Sequence, residues 1–207
     1  MVHNKRILAR MIATLRAIDP SVSVGLEMDS FLAQHMVEEP LCKKDVVLQH
    51  YDEAVKKAYY LVSGNIDLFC YDDKGDEHLF RIYRADRFIA VQCLFKGGAP
   101  GYSTMACKGA VLWSINAESL REMCATIPGV NDLIKSATDS CDEKELLRET
   151  LLNKNIEDRV LAFYRLFANL LPAGKVINDT RIGSYLRISA KTLRKIRKEL
   201  KETGLLG

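Results

Sequence analysis

Several signatures of catalysis and of metal binding are missing from this 207-residue chain. Its six cysteines, at 42, 70, 93, 107, 124 and 141, include no C-x-x-C pair, and its four histidines, at 3, 35, 50 and 78, show no paired spacing. Zinc and iron–sulfur sites need clustered ligands, so no metal or other cofactor is expected. Scattered thiols of this kind suit a reducing cytoplasm. No apolar run is long enough to cross a membrane, and the start, Met-Val-His-Asn-Lys-Arg, leads into an interrupted, amphipathic run and not into a signal-peptide core. The loop Gly97-Gly98-Ala99-Pro100-Gly101 lacks the Lys-Ser/Thr of a phosphate cradle, and no G-x-G-x-x-G occurs. Serines and histidines form no nucleophile motif, so the chain is not expected to be an enzyme.

The hydrophobic content, 48%, is that of a chain with a real core. The net charge is only +3, but it is unevenly spread. From Lys154 onward 12 basic residues stand against 5 acidic ones, leaving +7 there and −4 on the first 153 residues. A polyanion is therefore expected to meet the C-terminal part alone.

The stretch from Asp179 to Leu200 organises that part. Asn178 or Asp179 can cap a first short helix that buries Ile182 and Leu186. Arg187-Ile188 breaks it. Ser189 caps a second helix, with Thr192 where a full capping box would place Glu or Gln. In that helix Leu193, Ile196 and Leu200 share one face, while Lys191, Arg194, Lys195 and Lys198 share another. From Arg187 to Lys201 seven residues are basic and one, Glu199, is acidic. A helix that needed only solubility would mix signs. An apolar stripe, a cationic stripe and a tight turn are the layout of a helix-turn-helix reading head, with Ser189, Lys191, Thr192, Arg194, Lys195, Arg197 and Lys198 as its candidate DNA contacts.

Upstream, Ile7, Leu8, Met11, Ile12 and Leu15 predict an N-terminal helix ended by Asp19-Pro20, and Phe31 to Met36 predict a second. From about residue 37 the period changes. Short β-type runs at 46–48, 58–62, 66–71, 78–83, 102–107 and 110–115 alternate with polar turns, which predicts an antiparallel sandwich or barrel of about a hundred residues. Asp73-Lys74-Gly75 is expected to close a hairpin. Ala117 starts a helix broken at Pro128-Gly129. A long helical stretch follows from Val130 to about Lys154. Its narrow apolar seam, including Leu133, Ala137, Cys141 and Leu147, suits pairing with a second copy of itself. Ile156 to Leu171 is a further amphipathic helix.

This order, with Tyr60-Leu-Val-Ser-Gly-Asn-Ile-Asp-Leu68, Ala85-Asp-Arg-Phe-Ile89 and Ile188-Ser-Ala-Lys-Thr-Leu-Arg-Lys-Ile196, resembles the Crp/Fnr family of bacterial transcription regulators. The resemblance covers nearly the whole chain. It implies an α+β fold: an N-terminal antiparallel double-stranded β-helix (jelly-roll) barrel with flanking helices over residues 1–129, a long dimerisation helix over 130–154, and a helix-turn-helix domain over 155–207. It also implies a homodimer, double-stranded DNA and RNA polymerase as partners, and a small-molecule effector.

In members of the family that bind a cyclic nucleotide, a Gly-Glu pair follows the Phe-Ile pair, and an Arg-Ser pair comes about ten residues later. The matching positions here are Ala90-Val91 and Tyr102-Ser103, with Cys93 between them. Val91 cannot accept a hydrogen bond and Tyr102 cannot neutralise a phosphate, so the effector pocket is expected to be degenerate and closed to cyclic AMP. An iron–sulfur sensor of the family would carry an N-terminal cysteine cluster, and residues 1–41 hold no cysteine. The competing expectation is a small-molecule-sensing or protein-interaction module whose helix-turn-helix does not bind DNA.

Overall fold

The chain starts with α1 (Val2–Ile18), whose Ile7, Met11, Ile12 and Leu15 are buried at helical spacing. The computed structural model describes residues 2–20, 26–171 and 176–206, and their side chains except those of 2–4 and 137–147. Next comes α2 (Leu26–His35), which buries Met28 and Leu32. Eight strands follow: β1 (Val37–Glu38), β2 (Val46–Gln49), β3 (Lys57–Ser63), β4 (Asn65–Tyr71), β5 (Glu77–Arg84), β6 (Arg87–Ile89), β7 (Ser103–Ala106) and β8 (Val111–Asn116). Between β6 and β7 lies a short helix, α3 (Val91–Lys96). After β8 come α4 (Ala117–Thr126), α5 (Val130–Leu152), α6 (Ile156–Leu166), a 3₁₀ turn (Ala168–Leu170), α7 (Asp179–Leu186) and α8 (Ala190–Glu202).

The strands form two four-stranded sheets, with orders β1-β8-β3-β6 and β2-β7-β4-β5. The pairings β1·β8, β3·β8, β3·β6 and β2·β7 are all antiparallel. Paired sheets with these crossed orders are the jelly-roll expected from the alternating runs. Every expected strand is present. The two extra strands, β1 and β6, span only two and three residues, too short for a periodic signal.

By its packing the chain divides into two compact units, Met1–Ile66 with Tyr83–Asp142, and Asp67–Ile82 with Glu143–Gly207. This division differs from the spans expected from the sequence. It cuts α5 in the middle and groups the β4–β5 hairpin beyond Ile66 with the C-terminal helices.

In the first unit, one continuous core joins α1 and α2 to Tyr60, Val62, Trp113 and Ile115 of the strands and to Leu120, Met123, Val130, Leu133 and Ile134 of α4 and α5. A polar clamp fastens α1 over β3. Arg10 donates from Nε to Asp86 Oδ1 at 2.9 Å and from Nη2 to the Val62 carbonyl at 2.7 Å. The Tyr60 hydroxyl donates to the same Asp86 oxygen at 2.6 Å. Gly64 turns β3 into β4 with φ +87°, and a Cβ there would stand 2.7 Å from the Ala110 Cα, so both space and conformation require glycine.

Leu133 is one correction to the expected dimer seam. It is buried in the first unit's own core, because the first turns of α5 pack against that unit's helices. Ala137, Cys141 and Leu147, the rest of the expected seam, lie outside the described side chains.

Candidate nucleic-acid interface and effector pocket

The C-terminal helices build their own small core in the second unit. Val160, Phe163 and Tyr164 of α6, Ile182, Tyr185 and Leu186 of α7, and Leu193, Ile196 and Leu200 of α8 are buried. Phe163 is fully enclosed, with ring centroids of Phe167 and Tyr185 at 4.9 and 5.6 Å. Burying each such aliphatic or aromatic side chain contributes on the order of 1.5–3 kcal/mol, which is how helices of eight and thirteen residues hold together.

Caps set the angle between α7 and α8. The Asn178 side chain accepts from the Arg181 N–H at 2.9 Å and starts α7. Arg187 closes α7 in the left-handed conformation, φ 55°, and its N–H reaches the Ser184 carbonyl at 3.2 Å. Ser189 then caps α8, accepting from the Thr192 N–H at 3.0 Å, while its hydroxyl pairs with Thr192 Oγ1 at 2.8 Å. The turn crosses α7 at Gly183, where a Cβ would lie 2.6 Å from the Ile188 carbonyl oxygen.

The cationic face emerges on α8. Lys191, Arg194, Lys195 and Lys198 are exposed, and so is the cap Ser189. Lys195 stands 3.7 Å from Glu199 and Lys198 stands 3.6 Å from Glu202, both one helical turn on. Such exposed pairs contribute well under about 1 kcal/mol, so a phosphate can displace them.

Arg197 departs from the expected set of DNA contacts. Its guanidinium turns back into the domain, gripping Asp179 through Nη1 at 2.6 Å and Nη2 at 3.1 Å and donating to the Tyr164 hydroxyl at 2.9 Å. The hydrogen bonds to Asp179 outweigh desolvation and raise the guanidinium further above its already high range. Burial raises the Tyr164 phenol, and Arg197 offsets part of that. Arg197 therefore ties α8 to α6 and α7 and is not free to reach outward. It sits on the helix edge between the apolar stripe and the cationic face, and helical spacing alone does not say which way such a residue turns.

In the expected effector pocket the side chains meet each other. Ala90, with φ 63°, leads into α3, which Val91 begins. Cys93 Sγ and Tyr102 Oη are 3.5 Å apart. Ser103 is wholly buried, and its hydroxyl accepts from the Tyr51 N–H at 3.2 Å. Val91 also lines a cavity of about 50 Å³ bounded by α1, α2, α4, α5 and the nearby strands, with Met28, Leu32, Met36, Phe88 and Leu133 around it. Every residue that lines this cavity is apolar, so it offers nothing to hold a phosphate.

Residues 38–127, which carry the strands and α4, match the cyclic nucleotide-binding domain family. The fumarate and nitrate reduction regulatory protein of Escherichia coli K12 is 24% identical over 229 aligned positions, which cover all of this chain and 90% of that protein. Two solved structures share the fold. FixK2 from Bradyrhizobium japonicum is similar with TM-score 0.69 and 19% identity, over 83% of this chain and 87% of that one. A transcriptional regulator assigned to the Crp/Fnr family from Eubacterium rectale is similar with TM-score 0.68 and 13% identity, over 87% and 85%. The chain is thus similar in fold to a Crp/Fnr regulator.

Some polar contacts of this chain carry no signal in the sequence. The Arg10–Asp86–Tyr60 clamp joins residues 76 and 26 positions apart, and no local pattern signals such pairings. Tyr164 and Asp179 are legible as a helix residue and a cap, but not as the partners of Arg197. The contact of Arg181 with Glu77, at 2.7 Å, is equally hidden, since it spans 104 positions. Among the described residues no group of His, Cys, Asp or Glu could hold a metal ion, and no helix is long and apolar enough to cross a membrane.

Proposed function

We propose that the chain is a homodimeric, sequence-specific DNA-binding transcription regulator whose cyclic-nucleotide pocket is degenerate. The observation that carries this reading is α8 itself. Its Leu193, Ile196 and Leu200 are buried while Lys191, Arg194, Lys195 and Lys198 are exposed, behind a turn that Gly183 keeps tight. The relatives at whole-chain length bear the names of regulators, which supports the same reading. Lys191, Arg194 and Lys195 enter the major groove, and Lys198 meets phosphate. Arg197 holds the helix from behind. Two copies pair along α5 through Ala137, Cys141 and Leu147, spacing the heads by about one DNA turn.

Titrating the full chain against duplex DNA at several salt concentrations tests the reading. Affinity should fall steeply with salt, by about 0.9 log unit per log unit for each phosphate neutralised. Lys191→Ala with Lys195→Ala should weaken binding by about 1–3 kcal/mol for each side chain that no longer reaches a base. Unchanged duplex binding in that double variant would sink the assignment. Light scattering of the same sample should give a dimer at micromolar concentration, and a monomer there would remove the pairing along α5.

The pocket gives a second test. Tyr102 supplies no cation and Val91 no carboxylate, and the Ser103 hydroxyl is already engaged by Tyr51. Calorimetry should therefore detect no heat from micromolar cyclic AMP or cyclic GMP. Micromolar binding of either would show that the pocket opens around other groups.

A further inference from the structure

We propose that the acidic β4–β5 hairpin competes with DNA phosphate for the first helix of the reading head, and so restrains DNA binding within the chain. This rests on the DNA-binding reading above. The hairpin beyond Ile66 packs in the same compact unit as the C-terminal helices. Its residues 67–82 hold five carboxylates, those of Asp67, Asp72, Asp73, Asp76 and Glu77, against two cations, Lys74 and Arg81.

The contact is made by two residues three apart on α7. Arg181 Nε donates to Glu77 Oε1 at 2.7 Å, and its Nη1 lies 3.9 Å from Asp67 Oδ2. The three side chains are largely withdrawn from water, at 18%, 28% and 0% exposure for Arg181, Glu77 and Asp67. One helical turn on, the Ser184 hydroxyl accepts from the Leu79 N–H at 3.1 Å. Leu79 lies on β5, the outer strand of its sheet, so Ser184 covers a backbone donor that would otherwise form part of an open edge.

In a helix-turn-helix the helix before the reading helix crosses the phosphate backbone. Arginine is one of the side chains that take phosphate oxygens there. In this chain Arg181 is committed to the hairpin instead, Glu77 stands where a phosphate would otherwise pair with the guanidinium, and Ser184 holds the same hairpin through Leu79. Seating α7 on DNA through Arg181 therefore requires the hairpin to release it. Once released, Arg181 adds one cation to the DNA contact.

The test is a fluorescence-anisotropy titration of the full chain with duplex DNA at several salt concentrations, comparing wild type with Glu77→Gln. The variant should bind at least about 5-fold more tightly, at the lower end of typical coupling between sites. Its salt dependence should steepen by about one unit, for one further phosphate contact. In the Arg181→Gln background the same Glu77→Gln change should have no effect. That arm separates release of Arg181 from a general gain on removing a negative charge.

Ser184→Ala frees the Leu79 edge without changing charge and should also tighten binding, so a Glu77→Gln chain that melts early does not remove the test. Equal or weaker binding by both Glu77→Gln and Ser184→Ala would overturn the proposal. So would a gain that survives in Arg181→Gln. If wild type binds no duplex but Glu77→Gln does, the restraint is confirmed in its strongest form. If neither wild type nor any of these variants binds, both this proposal and the DNA-binding reading fall. If wild type binds and the variants match it, only the restraint falls.

Discussion

Gly183 and Ala90 occupy comparable places in the two functional regions, each beside the backbone turn that positions the next helix. At Gly183 the backbone is ordinary helix and space is what forbids a side chain, since the Ile188 carbonyl would sit 2.6 Å from a Cβ. At Ala90 the conformation is the demanding part, with φ 63° in the left-handed region. The α7–α8 pair has the one residue its geometry needs, and its cations face outward. The pocket has the bend but carries a methyl at it, and its polar groups close on each other, Cys93 with Tyr102 and Ser103 with the Tyr51 backbone. The contrast teaches that a left-handed bend can persist in this fold where the side chains around it satisfy one another.

Substituting at these two positions should give effects of different size and opposite sign. Gly183→Ala forces its Cβ against backbone that has no rotamer to yield, and should destabilise the second unit by about 1–3 kcal/mol. Urea denaturation followed by the far-UV signal reads this directly. An unchanged midpoint would mean that the α7–α8 turn is looser than its geometry indicates. Ala90→Gly relieves left-handed strain of about 1–2 kcal/mol but loosens the unfolded chain by about 0.4–1 kcal/mol, so it should be neutral to slightly stabilising. A clear loss of stability there would show that the Ala90 methyl is itself packed in the pocket.

How much of this can be read in the sequence follows the range over which each interaction acts. The strands, the caps at Asn178 and Ser189, the buried Leu193-Ile196-Leu200 stripe and the break at Arg187 all come from patterns within a few residues, and all are found. The α3 helix escapes because its six residues carry no period and follow a left-handed alanine. Arg197 is misread because its direction is decided by Asp179 and Tyr164, 18 and 33 positions upstream. Leu133 reads as part of a dimer seam because an apolar stripe does not say which surface it meets, and here the first unit's own helices reach it first. The grouping of the hairpin with the C-terminal helices depends on Glu77 and Leu79 meeting α7 more than a hundred positions away. No local pattern carries that information.

The smallest expected effect compares the two polar clamps. The Arg197–Asp179 pair is largely shielded from water, while the Arg10–Asp86 pair is nearly half exposed. Burial alone would raise the Asp86 carboxyl, but hydrogen bonds from Arg10 and Tyr60 bring it below the usual carboxylate range. A carboxylate whose folded-state pKa is depressed contributes stability that is present above its unfolded value, about 3.9, and is lost as pH falls through the folded value. The clamp on α1 is therefore intact at neutral pH and weakens only below about pH 4. Glu39 shifts in the same direction: desolvation opposes it, and Lys57 and Ser114 prevail, so it shares the acid limb. Asp86→Asn should remove only its own part of that limb. For a half-exposed pair this part is under about 1 kcal/mol, or a few degrees of melting temperature in a chain of this size. Thermal melts by circular dichroism from pH 7 to pH 3 should show wild type and Asp86→Asn converging as the pH drops, because protonation abolishes in wild type what the substitution has already removed. Melting curves that stay a constant distance apart across that range would mean that Asp86 holds α1 without its charge.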